Sequence, residues 1–261
     1  MVTVFNSPIL LRGRRADNMA DTKISALTAL TNPVGTDLLS IVDDVAGIPT
    51  TKKITLNTLL QDGWFAPDET WTYASATTFT VSGDVTATYS AGTKLKMTQT
   101  SAKYFHVLSS SYSAPNTTVT VITQTDYTIA NAAITSPYFS YTNQPRGFPG
   151  YFAFTPTITA GSGTFTTVSA VGSFMVAGRT FFADIVITIT TNGTAAVSVY
   201  ATLPVTGVNS QVGAGRENAV TGDMLQVYLG SGQNYFTIYD YLGNYPGGTG
   251  YSLVCSGRVR F

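Results

Sequence analysis

The chain has 261 residues, 14 of them basic and 14 acidic, with no formal net charge. Charged residues make up 11%, against roughly 25% in ordinary soluble domains; a general nucleic-acid binder would need a basic face that this balance does not supply. The single cysteine, Cys255, excludes an intramolecular disulfide, and no run reaches the roughly 18 apolar residues of a membrane-spanning helix.

Residues 1–22 read as an N-terminal arm. Nothing in them reads as a secretory signal, because Arg12, Arg14 and Arg15 follow the short apolar stretch PILL instead of preceding it. The expectation is synthesis and folding in the producing cytoplasm. As an extended arm, the segment would insert Val4, Phe5, Ile9 and Leu10 into a groove of a partner. Arg12, Arg14 and Arg15 would then lie against acidic surface. Met19 opens MADTKISAL, which itself reads as a natural start, so residues 1–18 are either such an arm, a flexible tail or no part of the mature start.

Residues 23–62 come next, with KISALTALTNPVGTDLLSIVDDVAGIPTTKKITLNTLL over Lys23 to Leu60. The order is a Leu/Ala-rich opening, an Asn32-Pro33 turn, a short apolar run, the acidic pair Asp43-Asp44, a Gly-Ile-Pro turn and TTKKIT. Thr36-Asp37 can cap a helical turn begun at Leu38, and Thr55 with Asn57 can start a helical turn over Leu56, Leu59 and Leu60. A piece this short cannot bury its apolar residues alone, so it needs copies of itself or a partner. The pattern KISxL…GxDLLxIVD…TKKIT…L resembles the N-terminal attachment segment of bacteriophage fibre and spike proteins. That resemblance implies a small trimeric knob fixed to the virion, and it makes Leu38, Leu39, Ile41, Val42, Lys52, Lys53 and Ile54 the attachment residues.

Gln61 to Glu69 reads as a packed joint, with Trp64, Phe65 and Pro67. Residues 63–149 read as a first β domain. Phe79 and Val81 share one face of TFTV; Leu95 and Met97 share one face of KLKMT, with Lys94 and Lys96 on the other; Val119 and Val121 alternate with threonines. SGD at 82–84 and SAG at 90–92 are turn signals. Strands about every ten residues indicate a sandwich or small barrel. The stretch YSAPNTTVTVITQTDYTIANAAITSPYFSYTNQPRGFPGYF, Tyr112 to Phe152, is similar to a module of phage fibre and head-fibre proteins, where it comes after the attachment segment as it does here.

Residues 150–261 read as a C-terminal jelly-roll-like β domain. Phe181, Ala183, Ile185, Ile187 and Ile189 alternate along one predicted strand, and Val197, Val199, Ala201 and Leu203 along the next. Between them Asn192-Gly193 reads as a type I′ hairpin turn. Leu225, Val227 and Leu229, then Phe236 and Ile238, then Leu253, Cys255, Val259 and Phe261 point inward, with Arg258 and Arg260 outward. FTPTITAGSGTFTTVSAVGSFMVAGRTFFADIVITITTNGT resembles the C-terminal domain of phage fibre proteins, which implies surface exposure and host attachment.

No catalytic site is expected. His106 lies in the apolar run KYFHVL and reads as a packed or interfacial histidine, not a member of a triad. Asp43-Asp44 is the obvious carboxylate pair for glycoside cleavage, but adjacent strand residues face opposite ways. With one histidine and one cysteine, only an all-oxygen metal site is conceivable, and Asp223, Asp240 and Glu217 lack the spacing for one. Gly215-Arg216-Glu217 reads as a loop ion pair. Binding potential concentrates in YLGSGQNYFTIYDYLGNYPGGTGY, where Tyr228, Tyr235, Tyr239, Tyr241 and Tyr245 offer aromatic faces for a glycan among short polar groups; the competing reading is that these tyrosines cover the sheets or pack against a neighbouring subunit. The expectation is therefore a mainly β, non-enzymatic virion protein. It would be a homotrimer bound to tail, collar or capsid, with a host-surface glycan as possible ligand and no cofactor, nucleic acid or membrane insertion. The alternative is a capsid decoration or head-fibre protein, and the third reading is a small glycan-degrading enzyme.

Overall fold

The structure, a computed structural model, describes residues 38–43, 50–55, 63–124 and 126–261. The expected arm contacts of Phe5, Ile9, Leu10, Arg12, Arg14 and Arg15, the Asn32-Pro33 turn, and the helical turn over Leu56, Leu59 and Leu60 lie outside these residues. The chain divides after Leu59 into two units.

In the first unit, β1 (Leu38–Asp43) and β2 (Thr50–Thr55) form an antiparallel hairpin. Leu39 pairs with Ile54 and Ile41 with Lys52. The residues after Thr36-Asp37 are extended strand, so no helix starts there to be capped.

The second unit is all β among its described residues and contains two antiparallel sheets. The six-stranded sheet holds β3 (Trp71–Ser75), β4 (Thr78–Ser82), β5 (Lys94–Thr98), β6 (Ala102–Ser113), β7 (Asn116–Val121) and β8 (Thr135–Ser140). Its order is β3-β4-β7-β6-β5-β8. The long β6 pairs with β5 through its first half and with β7 through its second, with a register shift between Val107 and Ser109. The sheet curls there and encloses Trp71, Phe79, Tyr89, Leu95, Met97, Phe105 and Val119. Trp71 stacks on Phe79 at 4.5 Å and donates its indole N–H to the Tyr89 hydroxyl at 3.0 Å.

The nine-stranded sheet holds β9 (Phe152–Phe154), β10 (Ile158–Ser162), β11 (Thr167–Ala177), β12 (Thr180–Thr191), β13 (Ala196–Thr202), β14 (Gln211–Glu217), β15 (Met224–Leu229), β16 (Tyr235–Asp240) and β17 (Tyr251–Arg260). Its order is β10-β13-β16-β15-β14-β17-β12-β11-β9. The alternation read from the sequence is borne out: Phe181, Ala183, Ile185, Ile187, Ile189, Leu225, Val227, Leu229, Phe236, Ile238, Leu253, Cys255, Val259 and Phe261 are all buried. The sheet folds over on itself like a sandwich. The Phe236 ring of β16 lies directly over Gly257 of β17, where a Cβ would stand 2.6 Å from its Cζ, although β15 and β14 separate the two strands in the sheet.

Two expectations fail here. β12 and β13 do not form a hairpin: β12 pairs with β11 and β17, and β13 with β10 and β16. Asn192-Gly193 instead carries the chain from one half of the folded sheet to the other. Gly193 takes φ +62 and Asn192 does not join it in the left-handed region, whereas a type I′ turn needs both. Thr194 donates its N–H to the Thr164 carbonyl, which holds this link down. Val197 is exposed, with φ +75, because β10 shifts register between Ala160 and Ser162 opposite it. Such a bulge turns one side chain to the wrong face.

Lys94 and Lys96 also depart from expectation. Their face of β5 does not look into water; it meets the rings of the joint and of the segment before β9. Lys94 is buried, with Nζ 5.7 Å from the Phe148 ring centre, and Lys96 Nζ stands 5.8 Å from Trp64 and 5.3 Å from Tyr138. Trp64 is buried too and donates to the Arg146 carbonyl at 2.8 Å. From here a run of rings crosses between the sheets: His106 to Phe148 (4.9 Å), Phe148 to Phe152 (5.6 Å), Phe152 to Phe174 (5.3 Å) and Phe174 to Phe181 (4.6 Å). Beside it the Gly92 turn abuts the Gly178 turn; Gly92 has φ +90, and a Cβ there would fall 2.1 Å from the Gly178 carbonyl oxygen.

Every edge strand is interrupted. β3 shifts register between Tyr73 and Ser75, β8 shifts opposite Lys96/Thr98 and contains Pro137, β9 has three residues, and β10 carries the bulge opposite Val197.

Phe174→Ala removes the ring between Phe152 and Phe181. We expect a loss of about 3–5 kcal/mol, measured by urea unfolding. Both tryptophans, Trp64 and Trp71, lie outside the nine-stranded sheet, so their fluorescence reports whether this loss reaches across the ring contacts. An unchanged tryptophan-reported midpoint would mean that the two cores unfold separately.

Candidate functional site

The strands β13, β16 and β15 lie side by side and bury alternate residues. Val199, Ala201, Phe236, Ile238, Val227 and Leu229 face the core, so the intervening positions must face outward. Register fixes their arrangement. Tyr200 and Tyr228 both stand opposite Thr237, Thr202 stands opposite Tyr235, and Gln226 opposite Tyr239. One outward face therefore carries Tyr200, Tyr228, Tyr235 and Tyr239 around a Thr237 that is almost covered. The Tyr200 and Tyr235 rings are 5.0 Å apart and inclined by 56°. Tyr228 donates its hydroxyl to Ser210 Oγ at 3.2 Å.

Of the five tyrosines singled out in the sequence, Tyr228, Tyr235 and Tyr239 share this face. Tyr241 lies in the turn after β16, with its ring exposed and its carbonyl accepting from Gln226 Nε2 at 2.9 Å. Asp240 ties that turn by accepting the N–H groups of Leu242 and Asn244. Tyr245 is elsewhere: it packs on the core and donates its hydroxyl to Asn192 Oδ1, and burial pushes its pKa up to about 12. It pins the link between β12 and β13. Tyr200 is the member that sequence reading missed. It stands 28 positions ahead of Tyr228, and only the β13–β16 pairing brings it into the group; its one local signal is a tyrosine at a polar position of an alternating strand.

Such a face can stack aromatic rings on the C–H face of a sugar while the Thr237, Thr202 and Gln226 side chains offer hydrogen bonds. Acid–base or nucleophilic chemistry finds no comparable setting among the described residues. His106 is buried between Phe148 and Phe152, and burial, with Lys94 beside it, pushes its pKa down to about 3. Its Nδ1 makes no hydrogen bond. The Cys255 thiol is buried and pushed up to about 12, so it is no ready thiolate. Among the described residues no three His, Cys, Asp or Glu side chains gather as metal ligands would.

Glu217 corrects another expectation. It makes no ion pair with Arg216; it turns inward and is 1% exposed. Burial alone would raise its pKa, but the N–H groups of Ser252, Ala219, Val220 and Thr221 outweigh that and hold it at about 2. The carboxylate thus organises the 217–222 loop, while Arg216 Nε donates to the Gly222 carbonyl.

The attachment residues read from the sequence lie in the first unit. Leu38, Leu39, Ile41 and Val42 are on β1, and Lys52, Lys53 and Ile54 on β2. Leu39 and Lys53 are exposed and Ile54 is half-buried. Asp43 ends β1, and Asp44 is outside the described residues.

Comparison with protein-family models, with curated proteins and with solved structures finds no match for this chain.

His106 sets a pH dependence. Its folded pKa of about 3 lies below its ordinary 6.5, so the unfolded chain takes up the proton first as pH falls. The stability it allows is present above pH 6.5 and is lost toward pH 3; from pH 7 to pH 5 the loss is about 2 kcal/mol. Glu217 has the same sign but acts lower, between 4.5 and about 2. Urea midpoints at pH 7 and pH 5 should therefore differ much less in His106→Leu than in the parent chain. An equal difference in both would exclude a buried neutral histidine.

Proposed function

We propose that this chain is a bacteriophage virion structural protein, a short homotrimeric fibre or spike. Its N-terminal segment anchors it to the particle, and the Tyr200/Tyr228/Tyr235/Tyr239 face contacts a host-surface glycan. The observation that carries the reading is an order. A segment of the attachment type, Lys23 to Leu60, precedes two β sheets, and the second presents four outward tyrosines on adjacent strands. The sparse charge supports it, since the face would read hydroxyl groups and not ions. Anchoring is assigned to β1 and β2, with partners in the tail, collar or capsid. The virion is then the protein's location.

A second reading keeps the particle and changes the place: a capsid decoration or head-fibre protein that stiffens the shell. It is favoured by the small size of the β unit, residues 60–261.

Gold-labelled antibody against residues 180–261 on intact particles separates the two. Label at the tail is the expected result; label over the capsid selects decoration; unlabelled particles overturn both. On labelled particles, Tyr235→Ala with Tyr200→Ala should lower adsorption to host cells about tenfold or more, the loss of roughly 1.4 kcal/mol or more in binding. Tyr245→Phe, away from the face, should leave adsorption unchanged.

A further inference from the structure

A different face of the nine-stranded sheet carries a line of apolar side chains. Register runs straight across five strands: Val171 on β11 faces Val186 on β12, which faces Val254 on β17, then Arg216 on β14 and Met224 on β15. Inward neighbours of this line are core residues, so the line itself points to solvent, and its valines and methionine are all more than a third exposed. Asp184, in the next row on β12, is exposed beside it. Together they line a shallow hollow of about 610 Å³. A soluble chain seldom leaves contiguous apolar surface uncovered without a partner for it.

We propose that this face binds a second copy of the same chain, with Arg216 of one copy reaching Asp184 of the next. The placement of the charges selects this occupant. Arg216 and Asp184 lie on opposite flanks of the central strand β17, one at each side of the valines. A cyclic assembly that turns this face to its axis, with the strands running along it, sets the β14–β15 flank of one copy against the β11–β12 flank of the next. The positive flank then meets the negative flank at every contact, and the valines close around the axis. The interrupted sheet edges leave the face, not the edge, as the natural place for such contact. This inference concerns the free protein and stands whether or not the chain belongs to a particle.

The test is a cross-link in the full chain, Asp184→Cys combined with Arg216→Cys. Within one copy β12 and β14 are separated by β17, so these Cα atoms are roughly 10 Å apart, beyond the ~7 Å limit for a disulfide. The native Cys255 is buried and does not compete. Mild oxidation and non-reducing electrophoresis should give covalent multimers with the pair and none with either single variant. Val171→Cys with Met224→Cys, at the two ends of the line, is a second pair should the first not fold. Adding Val186→Asp to whichever pair folds should abolish its cross-link while the circular-dichroism spectrum is retained. A folded pair that cross-links no more than its single variants would overturn the proposal, as would a cross-link indifferent to Val186→Asp.

Discussion

The described β unit depends on a run of rings that crosses from one sheet to the other. His106, Phe148, Phe152, Phe174 and Phe181 succeed one another at ring-centre distances of 4.6–5.6 Å. Aromatic rings suit this task because each buries a large area and tilts freely into edge-to-face or offset contact. Trp64 and the stems of Lys94 and Lys96 fill the flank. A lysine with little water around it is tolerated because its methylenes join the apolar contact while the ammonium faces ring faces. The outcome is one continuous apolar core, with Trp64, Ile122 and Phe148 joined to the residues of the nine-stranded sheet.

That contact also shows where sequence reading succeeds and stops. Alternation is a local property of a strand, so the buried positions of β12, β15, β16 and β17 were legible. So were the turns at Gly83 and Gly92, where glycine takes φ of +83 and +90. Pairing is not local. Asn192-Gly193 has the composition of a hairpin turn, but its two flanking strands find better partners elsewhere, and the turn becomes a crossing. Lys94 and Lys96 obey the alternation; what sequence could not show is that a second sheet would cover their side. Glu217 fails for a related reason. Its partners are backbone N–H groups, one of them from Ser252, and no pattern of residue types announces a backbone donor.

The tyrosine face shows the same division. A cluster within one stretch of chain drew attention to Tyr228, Tyr235 and Tyr239. The turn after β16 and the pin to Asn192 then sent Tyr241 and Tyr245 to other places, and β13 supplied Tyr200 from upstream. A surface on a sheet is assembled across strands, so nearness in sequence is only half of membership. For β1 and β2, the sequence supplied the alternation and the structure supplied the pairing, Leu39 with Ile54.

The interrupted edges have a consequence for crowding. An unbroken outer strand is a template: its free N–H and C=O groups will accept any extended chain, and identical copies held close together would zip into a growing ribbon. Here each of the four borders breaks the repeat that such zipping needs, by a shifted register, a proline or mere shortness. Copies of this chain can therefore be stored, or displayed, at high local density without polymerising through their backbones. Recognition is left to side chains, which can be specific about number and partner where a bare strand border cannot.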